Sequence, residues 1–377
     1  MESLREVLMN AGLEIVWFDS LGAKSSCIAI NIDGDECILI DPGAAAMQPS
    51  YPLPRQEKIV LRRKAVHRIR SVARRCSTII ITHYHYDHHI LLSDKNLENE
   101  NIYAGKKLYI KDPNKYINYS QWRRSRLFLE QILNSQNLRL NDFYVKPWQK
   151  RFPDPVDNLK YIHERNYGDY MVRRRELLLK GKQWFRKLVD YWKRNPWIKD
   201  NIVLPGNTRI FLGDGRKLRV GKTYIEIYPP WFHGIEYDKT GWVTPIYIVN
   251  KGYKIFYTSD LMGPIIEDYA YHIHDLSLDI VVVDGPPTYL YPYMFNKINL
   301  NRAIDNMIKI IDSKPEIIIY DHHLLRDANW RKHVRKVIDY ARSNEVALVT
   351  AAEAIGEKPL IDKILEQTHS SNQNHRN

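Results

Sequence analysis

An α/β fold is predicted by two regularities of this 377-residue chain. Short β-branched runs, such as Ile79-Ile80-Ile81, Ile280-Val281-Val282-Val283 and Ile317-Ile318-Ile319, have the length and composition of buried strands. They alternate with longer stretches whose apolar residues recur at helical spacing, as in 55–75 and 301–312. A third observation concerns function. Strand after strand ends in Asp or His, which is the pattern of a site assembled at the carboxyl edge of a sheet.

The first set of strands comprises Ile15–Phe18, Cys27–Ile32 and Cys37–Ile40. Asp33-Gly34-Asp35 between the last two is a hairpin signal. Asp41-Pro42-Gly43 stops the third strand and leaves Asp41 at its end, either to cap a turn or to orient a ligand histidine. Residues 55–75 then read as a basic helix leading to the strand before His83, a βαβ unit with parallel pairing. Residues 104–200 change character. They are rich in Trp, Tyr, Arg and Lys, with amphipathic helices expected over 116–133 and 171–194 and an extended connector around 146–155. This stretch is expected to be a basic helical insertion that docks an apolar stripe on the main body. Strands resume at 209–212, 223–228, 247–249, 254–257, 280–283 and 316–320, with a hairpin at Asn250-Lys251-Gly252. A helix over 330–344, a strand over 346–350 and a short helix close the fold, and the polar 368–377 is expected to be a disordered tail. The domain division that follows is 1–103 and 201–367 for the two halves of one domain, separated by the 104–200 insertion.

At 44% hydrophobic and 27% charged residues, the composition is that of a globular chain able to bury a sizeable core. The first residues carry no signal-peptide pattern, and no apolar run reaches the ~20 residues of a membrane helix. Cys27, Cys37 and Cys76 are an odd count without C-x-x-C spacing, so the expectation is unpaired core cysteines and a reducing cytoplasm. The net charge of +12 is concentrated. Residues 105–200 carry +13 and residues 55–76 carry +8, leaving the remainder at about −9. Confined basic segments suggest an anionic partner, nucleic acid first among them; a merely solvated helical surface is the competing reading.

The central motif is His83-Tyr84-His85-Tyr86-Asp87-His88, directly behind the Ile79–Ile81 strand. Imidazole and carboxylate are the donors shared by zinc, iron and manganese sites, and a rigid strand end can hold them. The remaining strand ends offer Asp41, His233, Asp260, Asp284 and the pair His322/His323. Asp284 opens a Gly-Pro-Pro turn that either lines a substrate pocket or is a plain turn. His272 and His274 mimic His-x-His, but no strand precedes them, so they are expected to be structural.

The order of Asp41, the His-x-His-x-Asp-His run, His233, Asp260 after Phe-Tyr-Thr-Ser and a late histidine resembles the metallo-β-lactamase superfamily. Ser20-Leu21-Gly22, Gln121-Trp122-Arg123-Arg124 and Asp321-His322-His323-Leu324-Leu325-Arg326-Asp327 look like an archaeal branch of it that has no assigned substrate. The resemblance implies an αββα four-layer sandwich with two divalent metal ions, zinc first and iron or manganese as alternatives. It implies that His83, His85 and His233 hold one ion. Asp87, His88 and His322 or His323 would hold the other, with His322 favoured and Asp260 bridging. Asp41 would orient a ligand histidine, Asp87 would double as the catalytic proton acceptor, and His89 is extra to the motif. The activity implied is a metal-dependent hydrolase using a metal-bridging hydroxide, on a phosphodiester or another anionic substrate. The alternatives are hydrolysis of a small ester, lactone, thioester or phosphorylated metabolite under the insertion as a lid, and a non-catalytic metal-containing binding protein. The insertion precedes His233, whereas the β-CASP branch carries its insert after the residue matching Asp260, so that branch is disfavoured.

Overall fold

A computed structural model describes residues 3–32 and 36–374. Most of its strands form two seven-stranded sheets, and two short pairs, Tyr144–Val145 with Trp197–Ile198 and Trp231–Phe232 with Trp242–Val243, stand apart from them. The first sheet runs in the order Leu13–Phe18, Ser26–Asn31, Cys37–Ile40, Cys76–Ile81, Lys107–Ile110, Arg209–Leu212, Ile202–Val203. The second runs Lys217–Val220, Thr223–Ile227, Ile246–Asn250, Tyr253–Tyr257, Ile280–Asp284, Ile317–Asp321, Ala347–Val349.

Side chains alternate across a strand, so each continuous apolar run serves two cores at once. Ile80 joins Ile28, Ile38, Ile248, Ile255, Ile280, Val282, Ile317 and Ile319 in the core between the sheets. Its neighbours Ile79 and Ile81 point the other way, against Ala65, Val66, Ile69 and Val72 of the helix Arg55–Ala73. On the second sheet Val281, Val283 and Ile318 face outward onto Ala303, Met307, Ile310 and Ile311 of the helix Lys297–Asp312. Helix, sheet, sheet and helix therefore stack as four layers, the αββα sandwich expected. The βαβ unit is present, with Cys37–Ile40 parallel to Cys76–Ile81. So is the hairpin after Asn250, where Lys251 (φ 49°) and Gly252 (φ 87°) supply the positive-φ pair of a two-residue turn. Asp33-Gly34-Asp35 lies outside the described residues, although the strands on either side of it pair antiparallel.

Three expectations are corrected. Lys107–Ile110 falls inside the span 104–200 yet is a parallel strand of the first sheet, between Cys76–Ile81 and Arg209–Leu212. Only four residues long and flanked by lysines, it has no strong strand signal of its own; pairing on both edges supplies its stability. Cys37 and Cys76 form a disulfide across adjacent parallel strands, where their Cα atoms are 4.3 Å apart, and only Cys27 is free. Cysteines 39 residues apart betray nothing of this until the strands are put in register. The last helix spans Leu360–Asn374, so the polar stretch from Thr368 begins inside a helix. Apolar docking through Ile361 and Ile364 starts that helix, and no Pro or Gly follows to stop it.

The helices Tyr119–Asn134 and Tyr170–Arg194 match those expected in the insertion. Both dock. Phe128, Leu129, Ile132, Phe185, Leu188 and Trp192 join the outer core of the first sheet, and Trp184 stacks on Trp242 at 5.6 Å. Among the described residues no helix is long and apolar enough to cross a membrane.

Candidate metal centre

The two sheets end together at one edge, and the loops leaving that edge carry His83–His88, His233, Asp260, Asp284 and His322/His323. Local chain geometry is unusual there. Asp41 (φ 50°), Ser259 (φ 54°) and His322 (φ 59°) all adopt the left-handed backbone that non-glycine residues avoid. Gly43 has a steric reason. A Cβ on it would lie 2.2 Å from the backbone nitrogen of His88 and 2.3 Å from that of His89, so the motif loop crosses where only glycine fits.

One ligand atom from each of His83, His85, His233 and Asp260 falls within 4.8 Å of the others, and the same holds for Asp87, His88 and His322. Asp260 joins the two groups. Its Oδ2 is 3.4 Å from His83 Nε2 and 3.3 Å from His233 Nε2. Its Oδ1 is 3.0 Å from His88 Nε2 and 3.4 Å from His322 Nε2. Despite those distances, both Asp260 oxygens and Nε2 of His83, His88 and His233 are buried without a hydrogen-bond partner among the described residues. Their lone pairs converge on shared space rather than on each other. Orphaned buried polar groups are costly, and a divalent cation is the partner that this donor set suits. The residues therefore fit two adjoining metal lobes with Asp260 between them.

The far sides of the His88, His322 and His323 rings are fixed by acceptors, the arrangement that orients a ligand histidine, whereas Nδ1 of His233 is buried without a partner among the described residues. His88 Nδ1 donates to Asp41 Oδ2 at 2.8 Å. Asp41 also accepts from Thr82 N at 2.8 Å, Thr82 Oγ1 at 2.6 Å and Tyr257 Oη at 2.8 Å. His322 Nδ1 meets Asp19 Oδ1 at 2.9 Å and the Ser25 carbonyl at 3.0 Å. His323 Nδ1 meets Asp284 Oδ1 at 2.8 Å. His323 also groups with Asp260 and His322, so both late histidines reach the centre, while His322 is the one grouped with Asp87 and His88. His89 packs edge-on against Tyr84 and Phe128, its Nδ1 on the His85 carbonyl at 2.9 Å. His272 bonds Tyr228 Oη at 3.0 Å and His274 bonds Asp275, both on a helix apart from these groups.

Electrostatics divides the lobes. Burial, then the neighbouring His88, holds His83 down at about 4, and burial puts His85 well below the usual range. Burial opposes a charged His88, yet Asp260 and Asp41 outweigh it and raise the ring to about 10. Burial likewise opposes ionisation of Asp87, but the charges of His88, Arg326 and His322 hold it well below the usual carboxylate range. Asp284 is pushed up to about 8 by burial and by Asp260.

Sequence reasoning passed over Asp19 and Arg326. The buried Arg326 guanidinium donates to Asp19 Oδ2 at 2.5 Å and to Asp87 Oδ2 at 3.0 Å, and its Nη2 lies 3.2 Å from His322 Nε2. Arg326 was visible as part of His-His-Leu-Leu-Arg-Asp, four residues after His322; Asp19 follows the first strand as Asp41 follows the third. Beside the motif loop, the half-exposed Tyr86 carries the Arg124 guanidinium 4.8 Å from its ring centre. Lys24 is partly buried near the second lobe, and its pKa is lowered by burial first and by Arg326 next.

The insertion grips the loop that bears His233. Asn118 Nδ2 donates to the carbonyls of Lys239 and Thr240, Gln121 Nε2 to Thr240, and Tyr237 Oη bonds the Asp154 carboxylate. Deeper in, Arg302 pairs with both Glu236 and Glu267, which also receive Arg174 and Arg165 of the insertion.

Residues 22–89 match the family model of the metallo-beta-lactamase superfamily. The chain is 29% identical over 343 residues to a UPF0282 protein of Korarchaeum cryptofilum, covering 91% of this chain and 88% of that one. It is 28% identical over 359 residues to a UPF0282 protein of Methanopyrus kandleri, covering 93% and 94%. Among solved structures it is similar to the short form of human tRNase Z (TM-score 0.28, 11% identity, 80% of this chain and 90% of that one). It is also similar to a long form RNase Z from yeast (TM-score 0.34, 14% identity, 80% and 37%). The resemblance to the superfamily and the likeness to archaeal proteins are both borne out.

Proposed function

From a chain with the metallo-β-lactamase fold and archaeal relatives along nine-tenths of its length, we propose a metal-dependent hydrolase acting on a phosphodiester. The observation that carries the reading is the shared Asp260, whose buried Oδ2 faces the unpartnered nitrogens of His83 and His233 and whose buried Oδ1 faces that of His88. His83, His85 and His233 with Asp260 would hold one divalent ion, and Asp87, His88 and His322 with Asp260 would hold the other, zinc being the first candidate. Ions bound there bring the pKa of water toward neutrality and offset negative charge developing on a phosphoryl or carbonyl oxygen.

The protein's own groups do the rest. Asp41 and Asp19 keep protons on the Nδ1 atoms of His88 and His322, so the opposite nitrogens remain ligand atoms. Asp87 stays ionised and is the proton acceptor. Arg124 on Tyr86, with Lys24, offers an anionic substrate a cation and an aromatic face beside the metals. Nucleic acid, an abundant phosphodiester, fits those features. One observation favours hydrolysis of a small ester, lactone, thioester or phosphorylated metabolite instead: the insertion is bonded to the His233 loop as a wall. Turnover of bis(nitrophenyl) phosphate and of a lactone panel by the metal-loaded protein separates the two. Phosphodiester hydrolysis is expected, and inertness toward it with lactone turnover would reverse the assignment.

A further inference from the structure

The two lobes of the centre are not equivalent. In the first, the ligand atoms of His83, His85, His233 and Asp260 face one another, and among the described residues no arginine or lysine is hydrogen-bonded to them. In the second, Arg326 donates to Asp87 Oδ2 at 3.0 Å and sits 3.2 Å from Nε2 of His322, whose Nδ1 is already engaged by Asp19 and Ser25. Two of that lobe's donor atoms are therefore already facing a fixed positive charge. The guanidinium cannot drift away freely. It is buried, and its Nε is tied at 2.5 Å to Asp19, the same carboxylate that orients His322. The link is also short along the chain: His322 and Arg326 bracket one 3₁₀ turn.

We propose that Arg326 is an internal competitor for the second metal position, so that the protein binds its two divalent ions stepwise, the first tightly and the second weakly and exchangeably. This rests on the metal-dependent reading above and deepens it. A cation entering the second lobe must take the His322 nitrogen from Arg326, share the Asp87 carboxylate with it and sit beside an undiminished positive charge. Arg326 is a positioning residue here: it sets when the second lobe fills, rather than touching substrate.

The test is titration of chelator-stripped protein with Co²⁺, followed by visible absorption and by calorimetry. The wild type should fill in two steps, the second at least tenfold weaker, within the ~10–100-fold range that groups behind a metal ligand command. Arg326→Met should tighten the second step by a comparable factor and leave the first unchanged. Arg326→Lys, which keeps the charge, should preserve the gap. Circular dichroism checks that the variants fold, and if neither folds the wild-type titration decides alone. Two steps of equal affinity in the wild type, or an unmoved second step in a folded Arg326→Met, overturns the proposal and leaves the metal-dependent reading intact. No uptake at either step overturns both.

Discussion

Asp41→Asn is nearly isosteric and keeps the fold, yet should damage one specific metal ligand. In the wild type Asp41 Oδ1 accepts from Thr82 N, while Oδ2 accepts from Thr82 Oγ1, Tyr257 Oη and His88 Nδ1. Oδ1 must remain an oxygen, because a backbone N–H cannot accept. The amide nitrogen of Asn then takes the place of Oδ2. Thr82 and Tyr257 can rotate their hydroxyls, and each has a further partner, Ser259 Oγ at 2.6 Å and the Ser26 carbonyl at 2.7 Å. His88 has no such freedom. Facing an N–H donor, its Nδ1 must give up the proton, which moves to Nε2, the atom 3.0 Å from Asp260 and aimed at the second lobe. A protonated nitrogen cannot ligate. The cost expected for a lost partner behind a ligand is ~10–100-fold in affinity for the ion held by His88, or about 1.4–2.8 kcal/mol. Metal titration by calorimetry measures it, and ¹⁵N chemical shifts of the imidazole report the tautomer directly. Unchanged affinity for both ions, with the proton still on Nδ1, would refute the reasoning.

Three further outcomes are expected. Glu236 and Glu267 are buried, which alone would raise their pKa values, but Arg302 and its companions hold both below the ordinary 4.5. Their stabilisation is thus complete above about 4.5 and lost as the pH falls through the lower folded-state values, so hydrogen exchange should rise first around Arg165–Arg174 on acidification; uniform exchange across the chain would contradict the network's role. Reducing the Cys37–Cys76 bridge, which closes a 39-residue separation, should remove about 4 kcal/mol by loop entropy and lower the melting temperature by several degrees; an unmoved midpoint under dithiothreitol would count against it. Arg124→Ala should raise KM for a phosphodiester by roughly tenfold, the worth of one charge-assisted contact, with metal content unchanged; an unaltered KM would remove Arg124 from substrate binding.

The α/β class was legible because β-branched runs such as Ile79–Ile81 and Ile280–Val283 have the length and composition of strands buried on both faces, whereas the four layers were implied by the resemblance to the metallo-β-lactamase superfamily. The convergence of His83–His88, His233, Asp260 and His322 was legible for a related reason: each ends or follows such a strand, and strand ends on one sheet edge must meet. What stayed hidden depends on contacts between distant segments. Lys107–Ile110 owes its strand state to two neighbours rather than to its own residues. The pairing of Cys37 with Cys76 is a register property. Asp19 and Arg326 lie 307 residues apart, and nothing local in either marks them as partners across the second lobe.

The most direct measurement follows bis(nitrophenyl) phosphate hydrolysis while zinc is returned to the chelator-stripped protein. Activity should be absent at first and grow as zinc is taken up, and His233→Ala, which removes a donor from the first lobe, should recover almost none of it. Hydrolysis that persists after stripping, or is equally strong in His233→Ala, would contradict a catalytic centre built on Asp260 and its surrounding histidines.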